Sequence, residues 1–197
     1  MLESSPTFVG VDPTADSMHV GHLAWILFMK RLGNAGHKLY FLVGGGTGMI
    51  GDPREVGERP MLDERTIEKN TRALKKQLSA ILGRTTFKLL DNADWLTKTR
   101  LIPFLRDVGK YFTVNDLIKR EVIKRRLDKP DDSISFTEFS YSLLQGFDFF
   151  TLYEKYGINL QIGASDQWTN MLSGVDLVRK RLNKEVYVLS IPQGNRS

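Results

Sequence analysis

Cysteine is absent from this chain of 197 residues, which excludes disulfide bonds and thiolate metal sites. Long apolar runs are absent as well: the longest, "LAWILFM" at 23–29, is far shorter than the roughly 20 residues of a membrane-spanning helix. The first residues, "MLESSPTF", contain no basic stretch followed by a long apolar one, so no secretory signal is visible. These absences predict a soluble protein without a membrane partner, located in the cytoplasm unless it serves an organelle.

The composition favours a folded domain, because 41% of the residues are hydrophobic and 26% are charged. The net charge of +5 is mild, but its distribution is uneven. Between residues 98 and 130, ten basic residues stand against four acids: Lys98, Arg100, Arg106, Lys110, Lys119, Arg120, Lys124, Arg125, Arg126 and Lys129. This basic block is either a solvated helix face or a contact surface for a polyanion.

The first 44 residues have the pattern of a strand, a helix and a second strand. "TFVGV" at 7–11 is typical of a buried strand, and residues 19–38 carry apolar positions at helical spacing until Gly36. A further apolar run at 39–44 predicts the second strand. Two strands joined by a helix in this way form a parallel pair. The fold class is therefore predicted to be α/β, with a parallel sheet.

The rest of the chain continues this alternation with one interruption. We predict a helix at 60–82, a strand at 85–90, two helices at 98–109 and 114–127, a long helix at 136–156, a strand at 158–165, a helix at 166–182 and a strand at 185–192. The consecutive helices predict a helical insertion at 98–135. It separates the first half of the sheet domain, 1–97, from the second half, 136–197.

The segment "VGVDPTADSMHVGHL" carries the first candidate site. Asp16 or Ser17 is expected to cap the helix that follows. His19 and His22 are three residues apart at the helix start, where free backbone N–H groups favour an anion, and Gly21 leaves the backbone open between them. The pair is compatible with structural packing, with phosphate binding or, least well, with a metal site, because no cysteine and only one further histidine is present.

A glycine-rich loop, "GGGTGMIGDP", follows the second predicted strand. It lacks the G-K-[ST] ending of a P-loop and does not match G-x-G-x-x-G. The loop is therefore either a tight turn or part of a binding site. Its one carboxylate, Asp52, is suited to hold an ammonium group.

On the long predicted helix, Tyr141, Gln145 and Asp148 share one face. Their neighbours are mostly apolar, so the Asp148 carboxylate needs a hydrogen-bonding partner. That partner is either a polar group of a ligand or an internal network with Ser140 or a backbone amide.

The segment "LQIGASDQW" ends a further predicted strand, with Gln161, Asp166 and Gln167 near its carboxyl end. Asp166 is suited to accept hydrogen bonds from a ribose diol. Together with Asp12 and Asp52, it supplies a carboxylate near three strand ends, where open α/β sheets bind ligands. No Ser/His/Asp or Cys/His set is evident, so a covalent mechanism is not predicted.

Four segments, "VGVDPTADSMHVGHL", "LVGGGTGMIGDP", "ISFTEFSYSLLQGFDF" and "LQIGASDQW", closely resemble in this order the catalytic domain of bacterial-type tyrosyl-tRNA synthetases, class I enzymes with an H-I-G-H-like signature. The likeness runs over residues 7–182. It implies a Rossmann-like parallel sheet that binds a nucleotide, in a catalytic domain whose halves are 1–97 and 136–197. It implies activation of L-tyrosine by ATP with magnesium assistance, followed by transfer to tRNA(Tyr). It also implies that the helical insertion supports a homodimer and lies near the tRNA.

The resemblance also implies roles for individual residues. The groups that contact the ATP phosphates would be Thr14, His19 and His22, with further ATP contacts from Asp12, Gly21 and Asp166, of which Gly21 lets the adenine approach and Asp166 holds the ribose. The tyrosine-binding residues would be Asp12, Asp52, Tyr141 and Gln145 around the ammonium group, Asp148 at the hydroxyl and Gln167 near the carboxylate.

Departures from the family pattern concern both specificity and completeness. Phe8 stands where the family usually has a tyrosine that shares the substrate hydroxyl with Asp148, and Ala164 stands where a glycine is common beside the ribose. The second family signature, K-[FM]-[GS]-K-[ST], does not occur in these 197 residues. We therefore expect part of a synthetase catalytic domain, without the C-terminal domains. The alternatives are a non-catalytic module that binds tyrosine, ATP or RNA, an inactive fragment, or a tryptophan-specific relative.

Overall fold

A parallel sheet of five strands forms the centre of the protein, in a computed structural model that describes residues 4–53 and 62–192. The strands are β1 (Thr7–Val11), β2 (Leu39–Val43), β3 (Phe87–Asp91), β4 (Leu160–Ala164) and β5 (Tyr187–Ile191). Their order across the sheet is β3-β2-β1-β4-β5, and every neighbouring pair is parallel. The predicted α/β class and all five predicted strands are confirmed.

The helices that connect these strands are α1 (Val20–Asn34), α2 (Glu64–Leu82), α3 (Ala93–Leu96), α4 (Leu101–Asp107), α5 (Val114–Leu117), α6 (Glu121–Leu127), α7 (Phe136–Tyr156) and α8 (Trp168–Leu182). α1 ends two residues before Gly36, whose φ of 95° a side chain would disfavour. α2 is capped by Asp63, whose carboxylate accepts the backbone N–H of Thr66. The predicted start of this helix at residue 60 lies outside the described residues.

The two faces of the sheet are both covered, as a parallel sheet requires. Neighbouring residues of a strand point to opposite faces, so Val9 and Phe41 pack in one cluster and Phe8 and Tyr40 in the other. The first cluster includes side chains of α1 and α2, and the second includes side chains of α7 and α8. With helices packed on both faces, the loops that follow the carboxyl ends of the strands lie at an edge of the sheet.

The prediction that Asp16 or Ser17 caps α1 is wrong. The helix begins only at Val20, and His19 occupies the N-cap position. The preceding turn is held instead by Gln77 of α2, whose amide oxygen accepts the backbone N–H of Met18 at 2.9 Å. This contact from another helix delays the start of α1 and makes a histidine its first capping group.

The single helix predicted at 114–127 is two helices, because the chain is extended at Arg120 (φ −64°, ψ 134°). The Arg120 guanidinium donates to the Ser173 hydroxyl of α8, which explains why this position leaves the helical path. The helix predicted at 98–109 is also shorter, since α4 spans Leu101–Asp107 and is followed by a 3₁₀ turn at Gly109–Tyr111.

Arg126 fastens this helical region to α7. It is 3% exposed, and its Nη1 donates to both carboxylate oxygens of Glu138 at 2.8 and 2.9 Å. Its Nε donates to Asp132 at 3.1 Å. Removing one partner of such a buried pair leaves an uncompensated charge, which costs about 3–5 kcal/mol. Arg126 thus belongs to the folded core and not to the solvated part of the basic block.

In the part of the chain that is described, none of the helices is long and apolar enough to cross a membrane.

Candidate active site

The carboxyl edge of the sheet carries the polar groups that the sequence singles out. The strand order reverses between β1 and β4, and such a reversal opens a ligand crevice at the carboxyl ends of the strands. Asp12 directly follows β1, the glycine-rich loop begins at Gly44 directly after β2, and a 3₁₀ turn at Ser165–Gln167 follows β4. The fold therefore brings these segments to one edge.

His19 and His22 cap α1 reciprocally. His19 Nδ1 accepts the backbone N–H of Gly21 at 3.1 Å, and His22 Nδ1 accepts the backbone N–H of His19 at 3.1 Å. The two rings are in contact, with centroids 3.9 Å apart. Because each Nδ1 accepts a hydrogen bond, each neutral imidazole carries its proton on Nε2. The H-x-G-H segment thus presents two Nε2–H donors at a helix N-terminus.

The electrostatics at His22 favour its neutral imidazole. Burial first, and the neighbouring His19 second, lower the pKa of His22 below its usual value. A Cβ on Gly21 would lie 2.9 Å from His19 Cε1, so a side chain at this position would displace the capping ring. Gly21 is therefore required by the cap itself, in addition to any contact with a ligand.

Asp12 lies between the glycine-rich loop and α7. Its Oδ1 accepts the Thr47 hydroxyl at 2.8 Å and its Oδ2 accepts the Tyr141 hydroxyl at 2.9 Å. A Cβ on Gly44 would overlap the Asp12 carboxylate, which explains the glycine at the start of the loop. Burial first, and the nearby carboxylates second, hold the pKa of Tyr141 well above its ordinary value, so the phenol remains a donor.

Asp148 is 3% exposed and has a partner on each oxygen. Trp95 Nε1 donates to Oδ1 at 2.7 Å and Asn92 Nδ2 donates to Oδ2 at 2.9 Å. The expected internal network exists, but its donors are these side chains; Ser140 is not among them and donates to the Thr137 carbonyl. Burial raises the pKa of Asp148 to about 7, although both hydrogen bonds lower it.

Asp52 joins the loop after β2 to the residues after β4. Gln167 Nε2 donates to its Oδ2 at 2.9 Å, and Asn170 Nδ2 donates to its Oδ1 at 3.1 Å. Asn170 Nδ2 also lies 3.3 Å from Gln167 Oε1. The glycine-rich loop is therefore more than a tight turn, because it delivers a carboxylate to a second strand end.

The remaining predicted residues stand around these two networks. Thr14 and Asp166 are exposed, and Gln145 is half-buried one turn after Tyr141 on α7. Gln161 was placed near the carboxyl end of its strand, which is wrong, since it is the second residue of β4 and pairs in register with Phe8. It is buried with Phe8 inside the sheet's packing.

Four polar or aromatic residues were missed by the sequence reasoning: Thr47, Asn92, Trp95 and Asn170. Asn92 connects Asp148 to the hydrogen bonds around Asp12. Its Nδ2 donates both to Asp148 and, at 3.0 Å, to the Thr47 hydroxyl, which in turn donates to Asp12. Its Oδ1 accepts the backbone N–H of Gly46 at 2.7 Å. A signal existed, since the segment "DNADW" follows the third strand at the same sheet edge.

Within residues 4–53 and 62–192 no group of three or more histidine, aspartate or glutamate side chains is arranged to hold a metal ion. The carboxylates that lie in the crevice are instead engaged by hydroxyl, amide and indole donors.

A parallel α/β sheet with a histidine-capped helix after its first strand, and with polar groups at its switch point, belongs to the doubly wound class of α/β domains, which bind their ligands at the carboxyl ends of the strands. Comparison with known families specifies it further. The chain belongs to the class I tRNA synthetases of the tryptophan and tyrosine type, whose family model matches residues 3–194.

Individual relatives agree with this membership. The chain is 46% identical over 190 residues to a tyrosine–tRNA ligase of Escherichia fergusonii. The matched residues are 94% of this chain and 45% of the relative. It superimposes on a C-terminally truncated mitochondrial tyrosyl-tRNA synthetase of Aspergillus nidulans with a TM-score of 0.81 and 32% identity, over 92% of this chain and 54% of the other. The chain also superimposes on a C-terminally truncated mitochondrial tyrosyl-tRNA synthetase of Coccidioides posadasii with a TM-score of 0.83, over 98% of this chain and 60% of the other. At 24% identity, this likeness supports the fold alone. The chain thus spans about half the length of its relatives.

Proposed function

We propose that this chain is the catalytic portion of a tyrosine–tRNA ligase, which activates L-tyrosine with ATP and, in the full-length enzyme, transfers it to tRNA(Tyr). The observation that carries the proposal is the Asp148 site: a buried carboxylate held by Asn92 and Trp95 beneath a polar crevice. A carboxylate oxygen accepts more than one hydrogen bond. Asp148 therefore has capacity for one further donor, and a phenol supplies that donor at the inner end of a flat aromatic side chain.

The other tyrosine contacts follow from the polarity of the crevice. Asp12 and Asp52 supply negative charge for the substrate ammonium group, and the Tyr141 hydroxyl and Gln145 amide supply uncharged acceptors beside them. Gln167, which donates to Asp52, stands at the end of β4 and would orient the substrate carboxylate. These assignments give every polar group of tyrosine a protein partner.

The ATP side is assigned to the start of α1. The Nε2–H groups of His19 and His22 would donate to the phosphates, together with the exposed hydroxyl of Thr14, while Gly21 allows the adenine to approach the backbone. Asp166, exposed after β4, would accept the ribose hydroxyls. Magnesium would enter with the phosphates of ATP as part of the substrate.

The chemical step needs no protein nucleophile. A carboxylate oxygen of tyrosine attacks the α-phosphorus of ATP, the bond from that phosphorus to the bridging oxygen breaks, and the electron pair leaves with pyrophosphate. The donors at the helix start would stabilise the negative charge that builds on the phosphates, and the two hydrogen-bonded networks would hold the reactants in line.

The pKa of Asp148 allows a direct test of the tyrosine assignment. The ionised carboxylate is the better acceptor for a phenol, and its fraction rises about tenfold between pH 6 and pH 8 around a pKa of about 7. We therefore expect tyrosine affinity, measured by calorimetry, to increase about tenfold over this range and then to level off.

Phenylalanine is the matched control, because it lacks the hydroxyl that would report the charge of Asp148. Its affinity should not rise over the same pH range. A titration of His22, whose pKa burial lowers, would change the affinities for tyrosine and phenylalanine alike, so the comparison of the two amino acids removes its contribution. Tyrosine affinity that stays constant or falls from pH 6 to pH 8 would refute the role of Asp148 as acceptor.

We further infer that residues 98–135 form an insertion between the halves 1–97 and 136–197 and that this insertion mediates a homodimer. Of the fourteen large apolar side chains exposed in the described residues, seven lie in or beside it: Leu101, Ile102, Leu105, Val114, Ile118, Leu127 and Phe136. A second copy of the chain would cover these side chains, since isologous pairing is the commonest form of association.

Replacing Phe136, which is 76% exposed, with aspartate should convert the dimer into a monomer at concentrations where the wild type is dimeric. A charge in a newly covered apolar contact remains partly desolvated and unpaired. Analytical ultracentrifugation measures the change. Tyr187→Asp, on the exposed edge strand β5, is the matched control and should leave the dimer intact; loss of dimer in both variants would contradict the assignment to the insertion.

We also propose that the exposed part of the basic block approaches tRNA. Eight of its ten basic residues are exposed, whereas Arg120 and Arg126 turn into the protein. Some exposed members are already paired, as Arg106 is with Asp107. The remaining positive charge suits a phosphate backbone. For the compartment we propose the cytoplasm, unless the protein serves an organelle.

A further inference from the structure

Arg120 differs from the exposed members of the basic block in having its contacts inside the protein. It is half-buried between α5 and α6, and its Nη2 donates to the Ser173 hydroxyl at 2.6 Å. Its Nη1 donates to Asn170 Oδ1 at 3.3 Å. Burial lowers the pKa of Arg120, while Asp176, Asp116 and Asp52 favour its charged form. The Arg120 guanidinium has lost part of its hydration, which indicates that its contacts with Asn170 and Ser173 have a role other than supplying surface charge.

Asn170 connects this cation to the candidate amino-acid site. Its oxygen faces Arg120, and its nitrogen faces Asp52 at 3.1 Å and Gln167 Oε1 at 3.3 Å. The two ends of an asparagine amide have nearly the same shape, so the neighbours decide which end faces which group. A guanidinium only donates and an ionised carboxylate only accepts, so Arg120 and Asp52 together fix the amide, with its oxygen toward Arg120 and its NH₂ group toward Asp52.

We propose that Arg120 is a positioning residue for the amino-acid site: by fixing the orientation of the Asn170 amide, it holds the Asp52–Gln167 pair in place for the ammonium and carboxylate groups of tyrosine. This role rests on the proposed function. It also links the helical insertion to the substrate through two consecutive hydrogen bonds, Arg120 to Asn170 and Asn170 to Asp52.

The test is tyrosine binding to the 197-residue chain by calorimetry, with ATP binding measured in parallel. Arg120→Met should weaken tyrosine binding about tenfold, because Asn170 loses the donor that orients it, and should leave ATP binding within about threefold of wild type. Lys75→Met removes a positive charge from an exposed position on α2, outside the basic block, and should change neither affinity.

A double-mutant cycle separates positioning from a general loss of structure. If Arg120 acts through Asn170, the Arg120→Met/Asn170→Ala double variant should bind tyrosine no more weakly than Asn170→Ala alone. Arg120→Lys, which keeps the charge and one donor, should recover part of the affinity and serves if the methionine variant does not fold.

The outcomes distinguish the two proposals. If the wild type binds tyrosine and Arg120→Met binds it with the same affinity, the role of Arg120 is overturned and the proposed function stands. Additive effects in the double-mutant cycle would have the same meaning. Equal losses of tyrosine and ATP binding in Arg120→Met would also overturn it. A wild-type chain that binds ATP but no tyrosine would overturn the tyrosine assignment and this role together.

Discussion

Asp148→Ala is expected to abolish tyrosine binding while ATP binding is kept. The variant removes the proposed acceptor for the substrate hydroxyl and leaves the Asn92 and Trp95 donors without their buried partner. Truncating one partner of a buried charged hydrogen bond costs about 2–5 kcal/mol, so the tyrosine dissociation constant should rise by at least about 30-fold. Calorimetric titration with each ligand measures both effects.

The control is Asp131→Ala, which removes an exposed carboxylate from the turn before α7 and should not alter tyrosine binding. Retained ATP binding by Asp148→Ala shows that the variant is folded. Tyrosine binding within about threefold of wild type would mean that Asp148 is only a structural carboxylate.

His22→Gly is expected to slow tyrosyl-adenylate formation by about 100-fold with little change in tyrosine affinity. The imidazole Nε2–H would act on charge that develops on the phosphates, and it does not touch the amino-acid side of the crevice. Rapid-quench measurement of adenylate, combined with tyrosine calorimetry, separates the two quantities.

The capping role of His22 requires its own control, since the same ring accepts the backbone N–H of His19. Glutamine at this third helical position also accepts that N–H, as in an ordinary capping box. His22→Gln should therefore preserve the helix start while the rate remains low. Full recovery of the rate in His22→Gln would show that only the cap matters.

The sheet and its layers were predictable because local patterns and topology agree. The runs at 7–11 and 39–44 are short and apolar with a helical pattern between them, and parallel pairing follows from that order. Asp12, Asp52 and Gln167 could be placed near one another by the same reasoning, since the carboxyl ends of parallel strands share one edge. Periodicity likewise placed Tyr141 and Asp148 on one face of α7.

The remaining features depend on contacts distant in the chain. Capping preferences favour Asp16 and Ser17, and only the contact from Gln77 explains why α1 begins after His19. No glycine or proline near Arg120 predicts the interruption between α5 and α6, which coincides with the contact of Arg120 with α8. An amphipathic pattern cannot reveal that two arginines of the basic block, Arg120 and Arg126, face inward.

The Asp148 network shows the same limit for the site. A buried carboxylate must have donors, and that requirement was evident from the helix alone. The donors themselves, Asn92 and Trp95, lie 56 and 53 residues away in the chain, on the short segment after β3. Only the position of that segment at the shared sheet edge could have identified them.

The most direct test of tyrosine activation at this crevice is tyrosine-dependent ATP–pyrophosphate exchange by the 197-residue chain, with Asp148→Ala measured beside it. We expect exchange that requires tyrosine, that is weaker with phenylalanine, and that falls to background in Asp148→Ala. Exchange that does not depend on tyrosine, or that persists unchanged in Asp148→Ala, would contradict the assignment of this site.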